Sequence, residues 1–381
     1  MSSPHPELER KLQADQLPPG IAFGALYRDQ GGAAHQVWVS AGNLPLGQPA
    51  GEHVTMSPDV SLAVFSCTKL LVAYAAMKLV EQGKIALDDN VADILPEMVA
   101  NGVIQEDGST RPLKGEVTVR KLMAHTAGLR CRRVQEESPT SGDHFFFPFI
   151  AEPEELWDYA CGYDWIERLI ARKSGSSFED YISKHITEPL GIKWHFTEQQ
   201  NDPLPQTGFF AGDSIQWIGV PEVVKASEPC GGAGGVGSIR AFMEVAGVLA
   251  NGGVGVTSGA RILSEASIKR MLQDELAGTG IVYPNPLPSA APIALLDPKE
   301  FPVRHDRCTI AGEMNLEPLP NGRAAGAITW GGANGIYWSV DPASGTVCVS
   351  ATQVMPFGHP RTLDPFLECE KEVLKALRQA Q

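Results

Sequence analysis

Residues 66–89 read SCTKLLVAYAAMKLVEQGKIALDD, so a serine stands three residues ahead of a lysine at the start of an otherwise apolar segment. Between Leu70 and Val80, Lys78 is nearly the only polar residue. This pattern predicts a helix over 67–82 that is apolar on almost every side and therefore buried. Gly83 supplies the signal that ends it.

Ser66 and Lys69 allow two interpretations. Serine is a common helix N-cap, and about one S-x-x-K match is expected by chance in a chain of this size. A helix that begins near Ser66 also places Lys69 one turn along on the same face, where hydroxyl and amine can touch. The N–H groups and positive dipole end of the helix suit an oxyanion and lower the proton affinity of the amine. Capping does not need a buried lysine, so the context favours a catalytic pair.

Composition excludes several classes of protein. The formal net charge of the 381-residue chain is -14, which leaves no basic stripe for nucleic acid. The sequence has no uninterrupted apolar stretch of membrane-spanning length and no apolar run at its N-terminus. Its seven cysteines are scattered without a CxxC pair, which argues against a zinc knuckle and favours reduced thiols in a cytoplasmic setting.

The two ends of the chain are rich in β-forming residues. Ile21–Tyr27 and 37–39 predict a hairpin, and 326–353 contains three further short strands, with a closing helix over 363–377. Helical patterns dominate the middle of the chain, at 67–82, 118–125, 153–173, 178–186 and 238–251. This order predicts an α/β (α+β) fold, in which one antiparallel sheet is completed by both chain ends and a helical lobe is inserted into it.

Three aromatic positions are candidates for roles beside the serine. His125 ends a short predicted helix, where it is a base or, as we favour, holds a turn with Thr126 by local hydrogen bonds. Tyr159 precedes the next helix and is either a packing residue or a proton shuttle to Ser66. Tyr163, four residues later, is the competing tyrosine.

Two further stretches could border a substrate. Trp330, Gly331, Gly332, Ala333 and Asn334 combine a β-rich run with two glycines, which lets another backbone or a substrate approach closely. The HFFFPFI stretch at 144–150 supplies either an aromatic pocket wall or a loop packed onto the core. Loops over 132–153 and 274–300 are long enough to form pocket walls or lids.

Several of these stretches occur in the order and approximate spacing of one family. They are SCTKLL, LMAHTAGL, a Tyr ahead of GYDWIERLIARKSG, EPLGI, GGAGGVGSIRAFMEVAGVLANGG and WGGANGIYWSVDP. Together they resemble the serine β-lactamase-like hydrolases, which include class C β-lactamases, DD-peptidases and esterases. SCTKLL and the WGG element are most similar to the carboxylesterase and fungal lovastatin-type transesterase branch.

This resemblance implies a domain organisation. It covers 15–375 as a single catalytic domain, with a helical lobe from about 80–235 and an N-terminal extension over 1–14. The family fold is an antiparallel sheet flanked by helices, and its nucleophile lies between the two lobes.

The resemblance also implies roles for individual residues. Ser66 matches the nucleophile, Lys69 its activating partner and Tyr159 the tyrosine of the Tyr-x-Asn element. Trp330, Gly331 and Gly332 stand where lactamases have Lys-Thr-Gly, so the N–H groups of Ala333 and Ser66 would form the oxyanion hole.

Two departures from the family pattern bear on the substrate. Cys161 replaces the Tyr-x-Asn asparagine, and Trp330 replaces the lysine of Lys-Thr-Gly. Those polar groups hold the amide and carboxylate of a β-lactam, so an apolar acyl ester fits this site better.

We therefore expect a serine acyl-enzyme that acts on small-molecule esters or thioesters, including a carrier-bound acyl donor, in secondary metabolism. It needs no metal and no cofactor, and neither nucleic acid nor membrane is a partner. One alternative is a β-lactamase or DD-peptidase, which the missing Asn and Lys disfavour. The other is an inactive binding protein that kept the fold, which intact Ser66, Lys69 and Tyr159 disfavour.

Overall fold

The computed structural model describes residues 18–29, 31–47, 51–129, 148–226, 228–281 and 306–379. The strands are β1 (Gly20–Arg28), β2 (Ala34–Pro45), β3 (His53–Thr55), β4 (Leu62–Ala63), β5 (Val103–Ile104), β6 (Thr110–Arg111), β7 (Trp194–His195), β8 (Gly208–Ala211), β9 (Ser214–Trp217), β10 (Val236–Gly237), β11 (Asp306–Cys308), β12 (Glu313–Asn315), β13 (Ile328–Gly332), β14 (Ile336–Asp341), β15 (Thr346–Ala351) and β16 (Val354–Met355). The α-helices are α1 (Thr68–Glu81), α2 (Pro96–Val99), α3 (Val119–Met123), α4 (Gly162–Ser174), α5 (Phe178–Ile182), α6 (Glu188–Leu190), α7 (Ile239–Ala250), α8 (Glu265–Met271) and α9 (Pro360–Gln379).

One antiparallel sheet of eight strands joins the two ends of the chain. Its strand order is β11-β12-β13-β14-β15-β1-β2-β3. The N-terminal strand β1 pairs with β15, with Ala22 opposite Ala351 and Leu26 opposite Val347. The predicted hairpin near the N-terminus and the three strands near the C-terminus are therefore confirmed as parts of one sheet.

Both faces of the central strand β1 are buried, because each is covered by a helix. Ala22 and Leu26 of β1 share an apolar cluster with Phe242 of α7. The alternate residues Ile21 and Phe23 pack in a second cluster with Phe366 of α9. Side chains alternate between the faces of a strand, so a strand covered on both sides reads as a continuous apolar run.

Most of the predicted helices are confirmed, with small shifts at their ends. The regions 67–82, 238–251 and 363–377 correspond to Thr68–Glu81, Ile239–Ala250 and Pro360–Gln379. Regions 118–125 and 178–186 form the shorter helices Val119–Met123 and Phe178–Ile182, the second of which continues into a π-helical turn over Ser183–Thr187.

The helix predicted over 153–173 is wrong in its first part, since α4 begins only at Gly162. The preceding segment is held to the chain after α3 instead. Glu154 N–H donates to Thr126 O at 2.8 Å, and Asp158 N–H donates to His125 O at 3.0 Å. In a helix these N–H groups would donate to carbonyl groups four residues earlier in the same segment. Here they donate to a separate segment, so this stretch is not helical.

Four predicted regions lie partly or wholly outside the described residues. Two of them are the predicted loops, of which 132–147 and 282–300 are outside. The N-terminal extension over 1–14 is wholly outside them, as are 144–147 of the aromatic stretch. Within the described part of that stretch, Phe149 is fully buried in the main core. It packs as part of a loop on the core, which was the second interpretation of this stretch.

The region from 80 to 235 contains helices together with the short strands β5–β9. Among the described helices, none combines the length and the apolar character needed to cross a membrane.

Candidate active site

Ser66 lies in a tight turn between strand β4 and helix α1. A single 3-10 turn, Phe65–Cys67, joins the two elements, and Phe65 has a positive φ of 46°. Thr68 fixes this turn: its hydroxyl donates to Phe65 O at 2.5 Å and accepts from Gly235 N–H at 2.9 Å. A left-handed conformation is strained for a bulky residue, so the surrounding bonds determine how Ser66 is presented.

Lys69 follows one helical turn later and is nearly enclosed, with 9% of the residue exposed. Its Nζ lies 3.2 Å from Ser66 Oγ and donates to Gly232 O at 2.6 Å. The same nitrogen lies 4.7 Å from the centre of the Tyr159 ring. The i,i+3 spacing seen in the sequence thus brings hydroxyl and amine into contact.

Tyr159, not Tyr163, reaches the serine. Tyr159 donates its hydroxyl to Ser66 Oγ at 2.7 Å. The hydroxyl of Tyr163 instead donates to Ile310 O at 3.0 Å. Burial raises the pKa of Tyr163 well above its usual value. Ser66 Oγ therefore sits between an amine and a phenol, and Tyr163 belongs to the wall behind them.

His125 holds the segment that carries Tyr159. Its carbonyl accepts from Asp158 N–H at 3.0 Å, and its Nδ1 accepts from Ala160 N–H at 3.3 Å. The imidazole also packs against the Tyr159 ring, with centroids 4.7 Å apart. Burial, and then the charge of Lys69, hold the pKa of His125 well below its usual value. The favoured structural role is therefore broader than a local turn, because these bonds clamp both sides of Tyr159.

Strand β13 ends beside the turn that carries Ser66. A Cβ atom on Gly332 would lie 2.5 Å from Val64 O, so only glycine allows this approach without displacing the backbone. Asn334 Nδ2 donates to Ala63 O at 2.7 Å and ties the β13–β14 turn to β4. Ala333 lies between these two anchors, in the turn closed by the bond from Gly335 N–H to Gly332 O at 3.2 Å.

The two departures from the family pattern occupy the same site. The Trp330 ring lies 5.4 Å from that of Tyr159, centre to centre. Cys161 is half-buried at the start of α4, two residues after Tyr159. At Gly331, a Cβ would come within 2.4 Å of the Phe357 ring, so this part of β13 is also closely packed. The indole of Trp330 is therefore a direct neighbour of the Tyr159 ring.

Sequence reasoning missed two anchors of the site. Gly232 supplies the carbonyl that accepts from Lys69, and Asn334 supplies the amide that binds Ala63. The glycine-rich GGAGG run contains Gly232, and Asn334 is the polar residue after WGGA. Neither pattern indicates which residue the group contacts. Over the described ranges, no group of three or more His, Cys, Asp or Glu side chains is placed to share a metal ion.

With this geometry established, comparison with known proteins identifies the family. The sequence matches the family model described as Beta-lactamase over residues 7–368. The chain belongs to the β-lactamase family. The resemblance inferred from the motifs is confirmed, as is the predicted β-lactamase/transpeptidase-like fold.

Its relatives include fungal acyltransferases and an esterase. ML-236A carboxylate methylbutanoyltransferase of Penicillium citrinum is 26% identical over 351 residues, which cover 85% of this chain and 82% of the relative. Lovastatin esterase of Penicillium rubens is 24% identical over 345 residues, covering 80% and 82% respectively. The solved structure of unliganded simvastatin synthase from Aspergillus terreus superimposes with a TM-score of 0.80 at 21% identity, covering 100% of both chains.

Proposed function

We propose that this protein is a serine esterase or acyltransferase that acts through an acyl-enzyme on Ser66. One observation carries the proposal: Ser66 Oγ lies 3.2 Å from Lys69 Nζ and 2.7 Å from the Tyr159 hydroxyl. A nucleophile in hydrogen-bond reach of two groups that accept and return protons is the arrangement that covalent acyl transfer requires.

In the proposed reaction, Lys69 in its neutral form takes the proton of Ser66 as Oγ attacks the carbonyl carbon of the donor, and the Tyr159 hydroxyl is hydrogen-bonded to the same Oγ. The N–H groups of Ser66 and Ala333 hold the resulting oxyanion. When the carbonyl re-forms, the bond to the leaving alcohol or thiol breaks, and Tyr159 donates a proton to it. Tyr159, now a phenolate, takes a proton from water or an alcohol, which attacks the acyl carbon. As the bond from that carbon to Oγ breaks, Lys69 returns its proton to Ser66.

The substrate class follows from Trp330 and Cys161. An indole offers one N–H and an apolar face, and a thiol is a weak donor, so neither reproduces the recognition of a β-lactam amide and carboxylate. Trp330 on one side of Tyr159 instead supports an apolar acyl group. Binding of the substrate through Trp330, Gly331 and Gly332 is part of this proposal.

The names of the relatives support transfer as well as hydrolysis. One is a methylbutanoyltransferase and another a lovastatin esterase. We place this chain in the same class of chemistry, with a short acyl ester or thioester as donor, including a carrier-bound one, in secondary metabolism. A single catalytic domain over 15–375 and a cytoplasmic setting complete the proposal. The cysteines support this setting, because they are scattered along the chain and those in the described residues form no disulfide.

The nucleophile is tested by Ser66→Ala. We expect this change to abolish covalent labelling by a fluorophosphonate, read by intact mass, and to leave at most a few per cent of p-nitrophenyl butyrate turnover, because only one hydroxyl is removed. Ser214→Ala, which removes an exposed hydroxyl in β9, is the matched control and should label normally. Persistent labelling of Ser66→Ala would assign the reaction to another serine.

The substrate class is tested by comparing an ester with a β-lactam. We expect kcat/KM for a butyryl ester to exceed that for nitrocefin at least about a thousandfold, a gap of roughly 4 kcal/mol in transition-state binding. An added alcohol should divert part of the acyl-enzyme into a new ester if the acceptor site accommodates it. Nitrocefin turnover at a comparable rate would restore the β-lactamase alternative.

A further inference from the structure

Two acidic residues of α4 hold the glycine turn behind Lys69. Asp164 Oδ1 accepts from Gly232 N–H at 2.9 Å, and Glu167 Oε2 accepts from Gly231 N–H at 2.6 Å. The two residues lie one helical turn apart, so they present their carboxyl groups on the same side of the helix. Two consecutive N–H groups of one turn are thus bound by two side chains of one helix.

This turn leaves little room for another arrangement. A Cβ on Gly232 would lie 2.8 Å from Asp164 Oδ2, and one on Gly231 would lie 2.7 Å from Tyr163 O. The turn is also closed internally, by the bond from Gly234 N–H to Cys230 O at 2.7 Å. The carbonyl group of Gly232 in this turn accepts a hydrogen bond from Lys69 Nζ at 2.6 Å. A single glycine residue therefore connects Asp164 to the amine.

The two carboxyl groups differ in charge. Burial, and after it the charge of Asp164, raise the pKa of Glu167 to about 8, so Glu167 holds its proton through most of the neutral range. Asp164 is nearly enclosed and also accepts from Cys230 Sγ at 3.1 Å. Asp164 is accordingly the member of the pair that brings negative charge close to the glycine turn.

We propose that Asp164 and Glu167 are positioning residues for Lys69: they orient the Gly232 carbonyl toward Nζ, and the charge of Asp164 favours the protonated amine. This inference rests on the proposed function, because it assigns the pair an effect on acylation of Ser66. A group that orients a general base can increase the reaction rate even when it does not contact the substrate.

Other titratable groups also surround Lys69, and the test has to separate them from Asp164. They are Ser66 and Cys67 in the turn before α1, His125 after α3, Tyr159 and Tyr163 around the start of α4, and Cys230 in the glycine turn. A substitution at Asp164 replaces none of these side chains, but it does affect Cys230: its Sγ donates to Asp164 Oδ1, and burial, followed by the charge of Asp164, raises the pKa of this thiol.

Three variants separate orientation from charge. Asp164→Asn keeps an oxygen that accepts from Gly232 and removes the charge, whereas Asp164→Leu removes both. Glu167→Gln keeps the acceptor and removes only a charge that is small at neutral pH. The matched control is Glu244→Gln, since Glu244 is a buried carboxylate on α7 that accepts from Thr257 N–H at 2.9 Å and from Ser258 N–H at 3.1 Å.

The measurement is the rate constant for fluorophosphonate labelling of the full chain between pH 5 and 9. We expect Asp164→Leu to label at least about a hundredfold more slowly than wild type, and Asp164→Asn to recover to within about tenfold of it. Removing the charge lowers the proton affinity of Lys69, so the acid limb of Asp164→Asn should move down by about half to one pH unit. Glu167→Gln should move it less, and Glu244→Gln not at all.

The outcomes distinguish this inference from the proposed function. A wild-type protein that neither labels nor turns over esters contradicts the proposed function itself. A reactive wild type with an unshifted acid limb in Asp164→Asn, or with Asp164→Leu as fast as wild type, overturns the positioning role alone. If Asp164→Leu fails to fold, the acid limb of Asp164→Asn decides.

Discussion

The two ends of helix α1 each carry a lysine that donates to a main-chain carbonyl, yet their surroundings differ. At the C-terminal end, Lys78 Nζ donates to Ile262 O at 2.8 Å and lies 3.7 Å from Glu81 Oε2, with 25% of its side chain exposed. At the N-terminal end, Lys69 Nζ donates to Gly232 O and contacts Ser66 Oγ beneath the Tyr159 ring.

The difference shows that neither the residue type nor the helix by itself gives a lysine the surroundings that the proposed catalytic role needs. Lys78 is partly exposed and lies near a carboxylate of its own helix, as is common for lysines at protein surfaces. Lys69 is enclosed, and its neighbours are a hydroxyl, a phenol and a carbonyl brought by three other segments. An amine in such surroundings can exchange a proton with the serine, which a solvated ion pair does not do.

The difference between the two lysines is tested most directly by replacing each of them with alanine. Lys69→Ala should slow acylation of Ser66 by about two to four orders of magnitude, because the general-base partner is lost. Lys78→Ala should leave acylation within about twofold and lower the free energy of unfolding by about 1 kcal/mol at most. Labelling rates and denaturant unfolding measure the two effects, and equal losses of rate in both variants would contradict the assignment.

The two tyrosines provide a second matched pair. Tyr159→Phe should also slow acylation by about two to four orders of magnitude, since its hydroxyl contacts Ser66 Oγ. Its effect should not add to that of Lys69→Ala, because both groups act on one proton path.

Tyr163→Phe is the control for this pair. It leaves Ile310 O without that donor and should lower stability by about 1–3 kcal/mol while preserving most of the rate. A crippled Tyr163→Phe enzyme beside a normal Tyr159→Phe enzyme would reverse the assignment.

Of Lys69, Tyr159 and His125, we expect His125 to have the smallest effect on rate and a distinct pH dependence of stability. The φ of His125 is 59°, which asparagine tolerates, and the Asn side-chain oxygen can replace Nδ1 as acceptor for Ala160 N–H. The variant loses only the packing of the imidazole on the Tyr159 ring. We therefore expect His125→Asn to slow acylation about tenfold. The pKa of His125 is lower in the folded protein than in the unfolded chain, so the unfolded chain binds a proton at a higher pH. The free energy of unfolding therefore falls as pH drops below the ordinary histidine pKa of about 6.5.

Chemical denaturation at two pH values isolates this contribution. Between pH 7 and pH 5.5, wild type should lose about 1 kcal/mol more unfolding free energy than His125→Asn. Parallel losses in the two proteins would mean that His125 takes up its proton without unfolding.

Local spacing was sufficient for part of the fold and part of the site. The apolar run after Ser66 predicted α1 to within one residue at each end, and the i,i+3 offset predicted the contact between Ser66 and Lys69. The β-rich ends predicted one antiparallel sheet. The helix predicted over 153–173 was wrong before Gly162, because that segment's backbone donors bond to 125 and 126 instead.

The sequence by itself therefore determined the elements, the family and the adjacent serine and lysine, since neighbours on one helix are fixed by its 3.6-residue period. Spacing along the chain left Tyr159 and Tyr163 as alternatives, and only the family resemblance favoured Tyr159. The contact with Ser66 is seen only in the tertiary structure, because the two residues are 93 positions apart and the segment of Tyr159 is not helical. The hydrogen bond from Lys69 to the Gly232 carbonyl, 163 residues away, could not be predicted from the sequence either. Such contacts depend on how separate elements pack against one another, and no local pattern along the chain encodes that packing.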